Sequence, residues 1–101
     1  MADCIIMNPQ DNVATLIKKV RAGDVLDIAD TRMEHFGRVT AIESIPFAHK
    51  ICLKDLKRGD LVIKYGQIIG RASADIPCGS YAHVHNVISI EGSEQVASSK
   101  E

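Results

Sequence analysis

What most limits the folds open to this chain is how soon every apolar run in it is cut off. No continuous apolar stretch exceeds a few residues before Gly, Pro, Asp or Ser intervenes. Segments 24–28, 38–42, 50–53, 61–64, 67–72 and 83–90 are short and rich in β-branched residues, the composition of strands bounded by turns. Cys4-Ile5-Ile6-Met7, stopped by Asn8-Pro9, is a further strand candidate near the start. With aromatic residues at only 4% and no Trp, a core must rest on Ile, Val and Leu. At 101 residues, 46% of them hydrophobic, the chain suits one domain.

One segment departs from the strand pattern. Val13, Leu16, Ile17 and Val20 fall at i, i+3, i+4 and i+7, which predicts an amphipathic helix over 11–21. Asp11 or Asn12 would cap its first turn, Lys18, Lys19 and Arg21 would face the negative end of its dipole, and Gly23 would end it. Lys54-Asp55-Leu56 is a candidate for a single helical turn. Arg21-Ala22-Gly23-Asp24-Val25 and Lys57-Arg58-Gly59-Asp60-Leu61 repeat a basic-x-Gly-Asp-apolar pattern, and Pro77-Cys78-Gly79-Ser80-Tyr81 is a third glycine turn. These are repeated turn chemistry, since Gly accepts positive φ and Asp bonds to nearby amides. The expectation is a mainly β (α+β), barrel-like or clip-like domain over 1–91, with one helix near the N-terminus and a polar tail or linker over 92–101.

Charge and cysteine usage narrow the function classes. Twelve Lys and Arg are interspersed with 13 Asp and Glu, for a formal net charge of −1, so no basic footprint for nucleic acid exists. No run is long enough to cross a membrane as a helix, and no basic segment leads into an apolar secretory stretch, so a cytoplasmic protein without membrane contact is expected. Cys4, Cys52 and Cys78 fit neither a disulfide framework nor a metal knuckle and read as reduced thiols.

The chemistry-bearing residues cluster near the end. In Tyr81-Ala82-His83-Val84-His85-Asn86, two histidines spaced by two in a strand would share one face, with Asn86 adding an amide. Such a pair can meet a metal or an acidic substrate, or it can be a solvated pair on a strand face. Two histidines do not close a metal site; His49, His35, an acid or a partner chain would have to complete it. His49-Lys50, at a turn into a strand, can hold a carboxylate, or can be a packed histidine beside a solvated lysine. Gly66 and Gly70 read as hairpin and bulge residues, and Glu34, Glu43, Asp55 and Asp75 are scattered. With no nucleophile elbow, phosphate loop or HExxH helix, a self-sufficient enzyme is not expected.

Taken in order, Asp11-Asn12-Val13-Ala14, Ile45-Pro46-x-x-His49-Lys50, Leu53-x-Asp55-Leu56, Val62-Ile63-Lys64-Tyr65-Gly66-x-x-Ile69-Gly70-x-Ala72 and His83-Val84-His85-Asn86 resemble the small N-terminal domain of the altronate and galactarate dehydratase family. The resemblance runs from about Met7 to Val87. It implies a SAF-type β-clip fold and a role as the small subunit or N-terminal domain of a metal-dependent sugar-acid hydro-lyase. It also implies a divalent metal, iron, held mainly by a large catalytic subunit or domain, and activity only with that partner. His49, Lys50 and Asn86 are the residues it implies for the substrate or partner cleft, and His83 and His85 those for a metal. The small subunit of a sulfolactate sulfo-lyase and a non-catalytic SAF binding module are the alternatives, and self-association of the small unit is plausible. The chain departs from the family pattern at Ala48, where Gly is common before the His-Lys pair, and at Tyr81-Ala82, where a charged residue or histidine often stands. His35, in the less familiar stretch 30–37, is expected at the surface.

Overall fold

The structure, a computed structural model, describes residues 2–89. The expected tail over 92–101 lies outside the described residues. Nine short strands form two sheets: β1 (Cys4–Ile5), β2 (Val13–Leu16), β3 (Val25–Ala29), β4 (His35–Thr40), β5 (Lys50–Cys52), β6 (Leu61–Lys64), β7 (Gln67–Ala72), β8 (Tyr81–Ala82) and β9 (Val87–Ser89). The larger sheet runs β4-β3-β1-β2-β5-β8 and the smaller runs β6-β7-β9. All pairings are antiparallel except β1 with β3. The mainly β expectation is met.

The helix expected over 11–21 is not there, and no helix occurs among the described residues. Residues 13–16 instead form β2, which pairs with β1 on one side and β5 on the other. The reason is burial on both faces. Ala14 and Leu16 enter a core with Cys4, Leu26, Ile28 and Ile51, whereas Val13 enters a second core with Cys52, Val62, Ala72 and Ile76. A short strand buried on both faces reads as a continuous apolar run, which periodicity cannot separate from a helix segment. Ile17, needed for the helical stripe, is 43% exposed.

Asp11 and Asn12 are not helix caps either; they tie the two sheets together. The Asp11 carboxylate accepts from the backbone N–H groups of Asn8, Tyr65 and Gly66. The Asn12 amide donates to the Leu61 carbonyl and accepts from the Ile63 N–H, at 2.9 and 2.8 Å. Both residues are buried, where a carboxylate or amide must be fully hydrogen-bonded.

The turn chemistry legible in the sequence extends further than the glycines. Gly23, Ala48, Gly59 and Gly79 all have positive φ, between 72° and 95°. In each case the next residue donates its N–H back to the carbonyl three residues earlier: Asp24 to Arg21, His49 to Pro46, Asp60 to Lys57 and Ser80 to Pro77. This is the geometry of a type II turn, which requires positive φ at its third position. The apolar residue before each turn is one end of an isolated antiparallel bridge, Val20 with Ile45 and Leu56 with Ile76. Leu56 therefore bridges Ile76, twenty residues on, and the helical turn expected at 54–56 is absent.

Candidate functional site

The second of these turns delivers His49, and the fourth delivers Tyr81. Ala48 donates its N–H to the Leu16 carbonyl and Gly79 donates to the Cys52 carbonyl, so both turns are anchored on the central strands. In the ladder between β5 and β8, Ile51 pairs with Tyr81 and Lys50 with Ala82. Alternation along a strand then sends His49 and Tyr81 toward one face of the sheet and Lys50 toward the other, where the smaller sheet lies.

The strand expected over 83–90 begins only at Val87. Residues 83–86 form a turn, in which the N–H groups of Asn86 and Val87 both donate to the His83 carbonyl. His83 and His85 therefore do not share a strand face. Asn86 holds this turn: its amide oxygen accepts from the His83 N–H at 2.9 Å, and its amide nitrogen donates to the Tyr81 carbonyl at 2.8 Å. Val84, at the tip, is 81% exposed.

Four rings converge as a result. The Tyr81 hydroxyl lies 2.6 Å from His49 Nδ1. Tyr81 stacks on His83 with centroids 5.4 Å apart and meets His85 edge-on at 5.2 Å, while His49 and His83 are 4.6 Å apart. Tyr81 is the residue that sequence reasoning passed over. It stands 32 positions from His49, so no local spacing could join them, and the only signal was that Tyr occupies a position where the family often has a charged residue or histidine.

The electrostatics follow from this crowding. Burial, and then the positive potential of His49, Lys50 and His85, holds the His83 imidazole below the usual histidine value. Burial, reinforced by Lys64, likewise pulls the Lys50 amine below the usual lysine value. With the Tyr81 hydroxyl on Nδ1, His49 keeps Nε2 for other chemistry, as donor or acceptor according to which partner carries the bridging proton. An imidazole of fixed orientation can move a proton. Lys19, Arg21, Pro46 and Tyr81 line an open cleft of about 680 Å³.

Among the described residues no three His, Cys, Asp or Glu side chains gather to hold a metal ion. His83 and His85 supply two imidazoles from one exposed loop, short of the three or four protein ligands such a site uses. These residues alone do not fit a resident metal. His35 lies exposed on β4, remote in the sheet order from β5 and β8. Cys4 and Cys52 are buried free thiols and Cys78 is an exposed one; burial pushes the Cys4 thiol up to about 12, so it is inert.

Fold and site together define a small two-sheet β domain that gathers three histidines around Tyr81. Residues 2–90 match the family model described as the altronate/galactarate dehydratase SAF domain, and the chain belongs to that family. It is 34% identical over 87 residues to an altronate dehydratase of Bacillus subtilis, covering 85% of this chain and 16% of that protein. It is 31% identical over 86 residues to the (2R)-sulfolactate sulfo-lyase subunit alpha of Chromohalobacter salexigens, covering 84% of this chain and 92% of that one. Against the subunit of the same name from Paracoccus pantotrophus, identity is 49% over 49 residues, or 48% of this chain and 73% of that one. The chain thus spans a small part of the dehydratase and most of the length of each sulfo-lyase subunit.

Proposed function

We propose that this chain is the small unit of a metal-dependent lyase that eliminates water from a sugar acid of the altronate or galactarate type, working only with a large catalytic unit. The observation that carries the reading is the His49–Tyr81 hydrogen bond, set beside His83, with Lys50 on the opposite face of the sheet. Elimination next to a carboxylate needs a base for the carbon-bound proton, stabilisation of the enolate-like charge and protonation of the leaving group. An oriented imidazole and a lysine supply part of that set. The carboxylates and metal that would complete it belong, on this reading, to the large unit. Asn86 holds the loop bearing His83 and His85.

One observation favours a second version. The sulfo-lyase subunit of Chromohalobacter salexigens is matched over 92% of its length, so a unit of this extent serves there as a separate subunit. In that version the leaving group is sulfite from a sulfonated hydroxy acid, with the same small-unit chemistry. The experiment is to co-express the chain with a large lyase unit encoded beside it and to assay loss of water from altronate and galactarate and release of sulfite from (2R)-sulfolactate. Activity is expected from the pair and not from either partner alone. Turnover by the isolated chain, or a large unit fully active without it, would overturn the reading; the substrate consumed decides between the versions.

A further inference from the structure

We propose that the pocket bounded by Lys50 and His83, at the seam between the two sheets, binds a small oxyanion, the carboxylate of a hydroxy acid. The proposal rests on the function argued above only for the identity of the acid; the anion chemistry is carried by the pocket itself.

The pocket has a volume of about 280 Å³ and is walled by Ile69, Val84, Val87 and Ser89, with Lys50 as its cationic group and the His83 imidazole as a further donor. It takes an acid of a few carbons, and no Asp or Glu lines it among the described residues. Lys50 extends from β5 toward the smaller sheet, close enough to Lys64 for the two amines to repel. Neither lysine enters an ion pair among the described residues. Across the ladder from Lys50 stands Thr15, on the same face, whose buried hydroxyl has no hydrogen-bond partner among the described residues. A half-buried lysine facing a second lysine and a histidine costs folding energy, and nothing in the described fold offsets it. An anion does. It supplies the missing charge and accepts from the ammonium and imidazole donors.

The test uses the full chain, isotopically labelled, with the His83 ring and Lys50 side-chain resonances followed by NMR during titration with inorganic sulfate, with glycerate as a simple hydroxy acid, and with neutral glycerol. Saturable shifts are expected with sulfate and glycerate and none with glycerol. Lys50→Met should weaken glycerate binding by about tenfold or more, the loss that follows removal of one charge-assisted hydrogen bond. Its melting temperature should be unchanged or higher, because an uncompensated charge has gone. His83→Gln, which leaves β5 intact, should show the same loss, and Lys54→Met, exposed outside the pocket, should bind like the parent. Absence of saturable shifts, a sulfate response without a glycerate response, or parent-like binding by Lys50→Met would overturn the proposal. A reconstituted lyase that needs this chain but is indifferent to Lys50→Met would overturn it too while leaving the lyase reading intact. Saturable binding by a chain that supports no lyase in any pairing would support the pocket and overturn the lyase reading.

Discussion

Ala48 holds φ at 72° in a turn whose three counterparts use glycine at that position. A side chain in the left-handed region costs roughly 1–2 kcal/mol. Ala48→Gly removes that strain but loosens the unfolded chain, so a net gain of about 1 kcal/mol is expected, read as a higher denaturant midpoint with an unchanged slope. Gly79 is the opposite case. A Cβ there would collide with the Thr40 carbonyl oxygen, so Gly79→Ala should fail to fold or melt far lower. Tyr81→Phe removes the hydroxyl on His49 Nδ1 and leaves the ring stack. Nitrogen shifts of His49 should then report a changed tautomer balance, with little change in melting temperature; an unaltered imidazole signature would show that the hydrogen bond does not set the tautomer. The sequence showed His49, Lys50, His83 and His85 as a set worth placing, and the family resemblance marked Ala48 as a departure from glycine. Tyr81 stayed hidden because its link to His49 is made by strand pairing and not by spacing.

At the scale of the element, β2 carries the clearest lesson. Val13, Leu16 and Val20 recur at helical spacing because two different cores and a bridge claim them, not because one face of a helix does. The turn repeats around Gly23 and Gly59 were legible because Gly and Asp act locally, whereas the strand identity of 13–16 depends on partners at 4–5 and 50–52. The Asp11 and Asn12 brace was likewise misread as capping, since its partners lie about fifty residues away. Asp11→Ala leaves three backbone N–H groups without their acceptor and should cost about 2–3 kcal/mol in chemical denaturation. Asp3 ties β1 to β3 in a way that depends on pH. The Asp27 N–H, with further help from Lys18, holds its carboxyl below the usual 3.8. Its contribution is therefore full above the unfolded-state value and fades as pH falls through the lower folded-state value. The stability difference between parent and Asp3→Asn should be largest near neutral pH and close below about pH 4; a gap that stays constant down the titration would refute the linkage.

The molecule as a whole is two small cores sharing the strands β2, β5 and β8. No metal cluster joins them among the described residues, so stripping metal with EDTA should leave the melting temperature of the isolated chain unchanged. The rings and Lys50 lie where the sheets meet: Lys50 is on the larger sheet, Ile69 and Val87 are on the smaller, and His83 is on the link between them. The three-stranded sheet is held to the rest by the second core and by the Asp11 and Asn12 brace, and its two outer strands have one partner each. In native-state hydrogen exchange its amides should open at lower free energy than those of β2 and β5. That gives the seam a temporal side. Were the lesser sheet to open, the pocket would lose a wall and the lysine would regain water, so the lifetime of the closed form would set how long a guest stayed, and a binding partner that clamped the two halves would lengthen that stay without touching the guest.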